Sequence, residues 1–363
     1  MKGEGSTELK VLYMNARSIR NKVDELEAQL EIGKYNVVGI TETWLQADRA
    51  WEMNIQGYTS YRKERLTGRG GGVALLLRND IQSLARGDIE SGDAESVWIE
   101  LRNSKGRKTL MGVIYRPPNS SLDVGCKLNE ELKSACRKGS DTVVMGDFNM
   151  QVDWENQNGT GPQEREFVEC IRDGFLEQLV LEPTREKAIL DLVLCNELDL
   201  IRDLEVKEPL GGSDHNMICF NLQFEKEKGK LDVSVLQLNK GNYGAMREEL
   251  VKVQWSNTLA GKTVEQKWQV FLGIMQKVQD RFIPKRKKDP KGSKGRLWLT
   301  REVKGSIKIK EKKYDIAKMT GKLEEWEAFK EQQKITKKAI RQEKMRYEGK
   351  LAKNIKEDRK SRQ

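Results

Sequence analysis

Along the first 225 residues, apolar positions recur in two rhythms that exchange with one another. Short runs rich in Val, Ile and Leu, ended by Gly, Pro, Asn or Asp, predict strands over 10–15, 37–41, 73–77, 97–101, 110–115, 142–145, 189–194 and 217–222. Helical spacing covers 21–32, with Val23, Leu26 and Leu30 on one face, then 123–137 and 163–179. Eight strands against three helices are too many for a doubly wound sheet, where each strand is matched by a crossover helix. The pattern therefore predicts an α/β fold of two packed sheets flanked by helices.

Beyond Phe224 the rhythm changes. Residues 225–230 (EKEKGK) read as a charged linker, and 283–295 (IPKRKKDPKGSKG) as an exposed basic loop broken by Pro and Gly. From Arg301 the composition favours helix, with Ile307, Tyr314, Met319, Leu323, Trp326 and Phe329 too irregularly spaced for a coiled coil. The expected organisation is a short N-terminal extension over 1–8, an α/β domain over 9–224, and a basic, mainly helical region over 225–363.

Charge sharpens that division. Overall 66 Lys and Arg face 56 Asp and Glu, for a net +10. Residues 1–225 hold 28 basic and 38 acidic side chains (−10), whereas 226–363 hold 38 and 18 (+20). An acidic body thus carries a basic tail. The longest apolar run, 73–77, is far short of the ~20 residues that cross a bilayer, and the N-terminus shows no apolar signal segment. No membrane partner is expected. Five cysteines without a C-x-x-C pair argue against a disulfide framework or structural zinc, and a single histidine argues against a zinc enzyme.

Candidate chemistry lies where strands end. Asn15 closes the first strand, Glu42 follows VVGIT, Tyr115 closes LMGVIY, Asp147 and Asn149 follow VVMG, Asp191 sits in ILDLVL, and Asp214 and His215 precede MICF. Gathered on one rim, these groups would form a carboxylate-rich cleft whose desolvation calls for a cation. A hard divalent ion prefers such oxygens and completes its shell with water and phosphate; Glu42 is the first candidate ligand. An Asp-oriented His215 would be protonated more readily than a free imidazole. Taken singly, Glu42 also reads as a helix N-cap, 146–149 as an Asx turn, His215 as a structural residue and Arg116-Pro-Pro as a strand stop. The glycines at 68–72 lack the Lys-Ser or Lys-Thr of a phosphate loop and read as a loop before Val73.

In order, MNARSIRNK, VVGITETW, GRGGGVALLLRN, VIYRPPN, VVMGDFN, EPTR, LDLVL and GGSDHNMI resemble the endonuclease/exonuclease/phosphatase superfamily. More narrowly they resemble the apurinic-type endonuclease domain of non-LTR (LINE-type) retrotransposon pol-like proteins, nearest the chicken-repeat-1 branch. The resemblance spans about residues 9–224. It implies a four-layered α/β sandwich and Mg2+, with Mn2+ as the alternative ion. It makes Glu42 a metal ligand, with Asn15 organising metal and phosphate and Asp214 variously a metal or nucleophile-positioning group. It gives Tyr115 and Asn149 to the phosphate, Asp147 to the attacking water, Asp191 to orienting His215, and Thr184 to a supporting hydrogen bond.

The implied activity is a Mg2+-dependent DNA endonuclease that nicks target DNA and leaves a 3′-hydroxyl to prime reverse transcription. Its setting would be intracellular, in the nucleus. A chain ending at Gln363 without Tyr-x-Asp-Asp suggests a product truncated ahead of the reverse transcriptase. Two alternatives stand beside it: a phosphomonoesterase of the same superfamily, and a silent nucleic-acid-binding relic acting through its tail. For the latter, Arg116, Lys285, Arg286, Lys287, Lys288, Lys291 and Trp298 are candidate contacts to DNA or element RNA, the last by base stacking.

Overall fold

A strict two-residue alternation sets the architecture. In β1 (Glu8–Asn15) Val11 and Tyr13 face one core while Leu12 and Met14 face another, because successive strand side chains point to opposite faces. The computed structural model describes residues 8–46, 53–65, 68, 70–92, 94–225, 234–237, 240–287 and 296–360. After β1 come α1 (Val23–Gly33), β2 (Val37–Thr41), β3 (Tyr58–Lys63), β4 (Val73–Arg78), β5 (Ser83–Ala85), β6 (Glu95–Arg102) and β7 (Lys108–Tyr115). Then follow α2 (Leu122–Arg137), β8 (Asp141–Asp147), the short pair β9 (Val152–Asp153) and β10 (Asn158–Gly159), and α3 (Pro162–Asp173). The α/β body closes with β11 (Glu177–Gln178), β12 (Asp191–Cys195), β13 (Ile201–Lys207) and β14 (Met217–Gln223).

Two six-stranded sheets result, ordered β13-β14-β1-β2-β4-β3 and β11-β12-β8-β7-β6-β5. Each has one parallel pair at its centre, β1 with β2 and β7 with β8, and antiparallel pairs on both sides. Helices α1 and α2 make the crossovers that parallel neighbours require. Val11, Tyr13, Leu75, Val113, Met145 and Val193 fill the layer between the sheets. Leu26 and Leu30 of α1 cover one outer face, and Leu128, Leu132, Phe167 and Ile171 of α2 and α3 the other. The expected α/β sandwich is what forms.

Differences from the sequence reading fall at edges. Strands β3, β5 and β13 carry mixed or exposed patterns rather than apolar runs, since an edge strand buries less than a central one. The helix expected over 163–179 stops at Asp173, where Gly174 follows, and Glu177–Gln178 pairs as a strand with β12.

The chain falls into two units, Met1–Lys228 with Gly295–Gln363, and Gly229–Lys294. In the second, β15 (Ser234–Leu236), α4 (Tyr243–Val251), α5 (Trp255–Leu259), α6 (Val264–Phe282) and β16 (Lys285–Lys287) follow one another. A Thr263–Gln266 capping box starts α6. Lys285, Arg286 and Lys287 lie on β16, paired with β15; Lys288 and Lys291 lie outside the described residues.

In the first unit, α7 (Arg301–Thr320) and α8 (Leu323–Lys360), parted at Gly321, pack on the outer side of α1. Ala28 meets Trp298, Leu299, Val303, Ile307 and Ile340 there. Opposite charges frame the contact: Lys344 pairs with Asp24 and, at 3.0 Å, with Glu27, and Arg296 reaches Glu27 at 2.6 Å. Trp298, expected as a stacking surface for a base, is instead 5% exposed, because its indole fills the apolar seam under the Lys344 ammonium. Trp298→Ala is accordingly expected to lower unfolding free energy by about 3–5 kcal/mol in urea titrations, whereas an unchanged midpoint would show that the indole is not part of this seam.

Candidate active site

Strand register assembles the site. Asn15 lies opposite Thr41 at the end of the β1/β2 pair, and Tyr115 opposite Asp147 at the end of β7/β8. Asp191 opens β12 directly across from Asp147, so two carboxylates stand side by side where residues face one another. Glu42 follows Thr41, and His215 precedes β14 by two residues.

The Glu42 segment is held on both flanks. Ser18 N donates to Glu42 O at 2.9 Å on one side, and Thr43 N to Gly72 O at 3.1 Å on the other. Glu42 and Trp44 both adopt positive φ, 50° and 54°, a costly conformation for such residues that persists where the surroundings impose it. Gly72 permits the approach, since a Cβ there would sit 2.6 Å from Thr43 Oγ1. The glycine run therefore buttresses the Glu42 loop.

Hydrogen bonds join the two sheets across the rim. Asn15 Nδ2 donates to Glu42 Oε1 at 3.0 Å and to Asp147 Oδ2 at 2.8 Å. Tyr13 OH donates to Asp191 Oδ1 at 2.8 Å, and His215 Nδ1 meets Asp191 Oδ2 at 2.7 Å. Asn15, Asp147, Asp191 and His215 are all at most 3% exposed. Burial opposes charge on the imidazole, yet the bond and charge of Asp191, with Asp147 and Asp214, push His215 up to about 9. Burial, with Asp191 opposite, lifts the Asp147 carboxyl well above the usual range, against the pull of His215 and Asn15. Burial and the neighbouring Asp191 and Asp147 likewise keep the Tyr13 phenol protonated, hence a donor.

Around this centre the remaining residues act as supports. Thr184 Oγ1 accepts from Leu190 N at 3.2 Å and Asp191 N at 3.1 Å, fixing where β12 begins. Asn149 closes the turn after β8, its N–H donating to Asp147 Oδ1 at 3.2 Å and its Nδ2 to Arg116 O at 2.8 Å. Arg116 was expected at a nucleic-acid surface; it is 4% exposed and donates inward to Asn149 O at 3.2 Å and Gln163 Oε1 at 2.5 Å. It anchors the Asn149 turn. Tyr115 is buried with Arg65 over its ring at 5.7 Å. Asp214 ion-pairs with Arg17 at 3.1 Å and Arg185 at 2.8 Å. Burial works against its charge, but His215, Arg185 and Arg17 hold its carboxyl below the ordinary range.

The Endonuclease/Exonuclease/phosphatase family matches residues 12–215, more than half of the chain. The chain belongs to this family. Among curated proteins, the RNA-directed DNA polymerase from mobile element jockey of Drosophila funebris is 22% identical over 222 residues, 58% of this chain. The chain spans 23% of that relative's length. Among solved structures, the endonuclease domain of TRAS1, a telomere-specific non-LTR retrotransposon, matches with a TM-score of 0.51 at 19% identity, covering 61% of this chain and 100% of the domain. The Xenopus laevis APE2 catalytic domain matches at 0.49 and 14%, covering 61% and 94%. What the TRAS1 domain shares with this chain at 19% identity is the fold.

Two donor sets could take a metal in this family member. Glu42 and Asp147 converge on one amide nitrogen, an all-oxygen arrangement that suits a hard cation. Asp147, Asp191 and His215 also place ligand atoms within 4.8 Å of one another. In this trio both Asp191 oxygens are already engaged, by Tyr13 and by His215.

Sequence reading overlooked Tyr13, Trp44, Arg17, Arg185 and Ser213. Tyr13 carried a signal: two residues before Asn15 it shares the inter-sheet face, where a buried hydroxyl needs a partner. Trp44 donates Nε1–H to Glu42 Oε2 at 3.0 Å, and Ser213 Oγ donates to Asn15 O at 2.7 Å; neither contact leaves a trace in local pattern.

His215 is the chain's one histidine, so its NMR signal is unambiguous. In metal-free protein the imidazole should titrate near 9, and Asp191→Asn should move it down. Because the charged ring is the partnered form, the pair stabilises the fold below about 6.5 and loses that contribution as pH rises through about 9. A wild-type midpoint below 7 would refute the Asp191 coupling.

Proposed function

We propose that this chain is the Mg2+-dependent DNA endonuclease of a non-LTR retrotransposon, cutting one strand of duplex DNA so that a 3′-hydroxyl can prime reverse transcription. The observation that carries the proposal is the line Tyr13–Asp191–His215 beside Asp147, tied through Asn15 to Glu42. It supplies an acid, a base and a cation site at the junction of the two sheets.

Glu42, with Asp147 and the Asn15 amide beside it, would hold the ion. When bound there, Mg2+ or Mn2+ would supply charge stabilisation for the phosphoryl and leaving oxygens. Asp147, held by Asn15 and by the Asn149 turn, would orient the attacking water and accept its proton. As the new P–O bond forms, the P–O3′ bond breaks, and the leaving O3′ takes a proton from solvent water to end as the 3′-hydroxyl. His215, charged at neutral pH and fixed through Nδ1 by Asp191, turns Nε2–H towards the phosphoryl group and neutralises its growing charge. Arg17 and Arg185 orient Asp214 next to that imidazole. Asp214, committed to these two arginines, is assigned to positioning and Asn149 to the phosphate. Element RNA would be met by the basic residues Lys285, Arg286 and Lys287. The nucleus is the compartment that holds the target.

Supercoiled plasmid tests the assignment. With Mg2+ the wild-type chain should produce nicked circles carrying 3′-hydroxyl ends. Chelation should abolish nicking, and His215→Ala or Glu42→Gln should slow it by roughly 10²-fold or more. Nicking that survives both chelation and His215→Ala would reject the endonuclease assignment, and faster turnover of a phosphomonoester than of duplex DNA would favour a phosphatase.

A further inference from the structure

The loop that delivers His215 has little stiffness of its own. Between β13 and β14 it runs Glu208-Pro-Leu-Gly-Gly-Ser-Asp-His215, with Gly211 at φ 53°. Adjacent glycines leave the backbone many alternatives, each of which must be suppressed for the imidazole to stay in place. Within the α/β body the loop is restrained by Ser213 Oγ to Asn15 O, Ser213 N to Leu210 O at 3.1 Å, Asn216 N to Thr184 O at 2.8 Å, the Asp191–His215 bond and the burial of Leu210 in the α1-side core. The side-chain bonds among these act at Ser213 or beyond.

Side-chain contacts to the near end come also from α7 and α8. Lys310 of α7 forms an ion pair with Glu208 at 3.1 Å, both side chains 5% exposed. Gln333 of α8 donates Nε2–H to Gly211 O at 2.6 Å. Lys318 of α7 pairs with Glu182, just ahead of Thr184 and Arg185, and donates to Val206 O at 3.3 Å. A buried ion pair adds little net stability compared with an apolar pair, and its best-attested use is to fix one arrangement over its neighbours. Here the arrangement fixed is the strand exit that leads into the His215 loop.

We infer that Lys310 and Gln333, which lie outside residues 12–215, are positioning residues for His215, so that the α7–α8 hairpin forms part of the catalytic apparatus. This inference rests on the endonuclease reading above. Neither side chain touches the reacting atoms. They act through Glu208 and Gly211 on where the imidazole stands, and displacing a catalytic group by ~1 Å can cost up to ~10²-fold in rate.

The test uses the full chain and plasmid nicking with Mg2+. Gln333→Ala and the paired change Lys310→Met with Glu208→Gln, which removes both buried charges together, should each lower kcat about tenfold or more with KM within about twofold. Both should also shift or broaden the single imidazole Cε1–H resonance in the folded protein. Lys310→Arg should restore most of the rate, and Lys334→Ala, a change at an exposed surface pair, should leave both readouts at wild type. Folded variants with wild-type kcat and an unmoved imidazole signal would overturn the positioning role while leaving the endonuclease reading intact. A wild-type chain that does not nick, yet shows the imidazole shift in these variants, would overturn the endonuclease reading and retain the structural coupling.

Discussion

Everything at the rim depends on the solvation of Asp191. Its carboxylate is fully buried between the two sheets, where an uncompensated charge would cost several kcal/mol. Tyr13 from one sheet and His215 from the loop ahead of β14 each take one of its oxygens. That requirement fixes the separation of the sheets at this end and the rotamer of the imidazole, and it keeps the imidazole charged. Asp147 then stands opposite Asp191 by strand register alone, and its raised affinity for protons follows from sharing that dry place.

The two central parallel pairs explain why the groups meet. A parallel pair brings two strand ends to the same edge, and here each sheet contributes such an edge to one rim. Asn15 is the joint, its amide donating to Glu42 on its own sheet and to Asp147 on the other. The surrounding loops are tightened by their own backbone bonds, so that Glu42 and Asn149 sit at positive φ. Such strain marks positions where placement outweighs local comfort.

The opposed charges of body and tail have a structural explanation in part. Lys344, Arg296, Lys310 and Lys318 answer Asp24, Glu27, Glu208 and Glu182 within one unit. Exposed pairs contribute little individually, and the buried Lys310–Glu208 pair serves arrangement more than stability. The apolar seam around Trp298 is what they frame, and they select which face of the hairpin lies against α1. Lys344, Arg296, Lys310 and Lys318 are thus engaged by the acidic body rather than offered to phosphates.

Much of this was written in local pattern. Continuous apolar runs in β1, β2, β7 and β8 dictated central strands buried on both faces, and the polar residues at their ends nominated Asn15, Glu42, Tyr115 and Asp147, because buried strands leave only their termini for polar chemistry. Edge strands β3, β5 and β13 escaped notice since half-exposed segments lack that contrast. What the sequence could not contain was distance. Arg116 and Trp298 look like surface cation and aromatic in one dimension, and only packing against the Asn149 turn and α1 made them interior. The contact of Gln333 with Gly211 joins residues 122 apart. Local pattern decides which face a residue takes; which other segment meets that face is settled by closing the whole chain on one core.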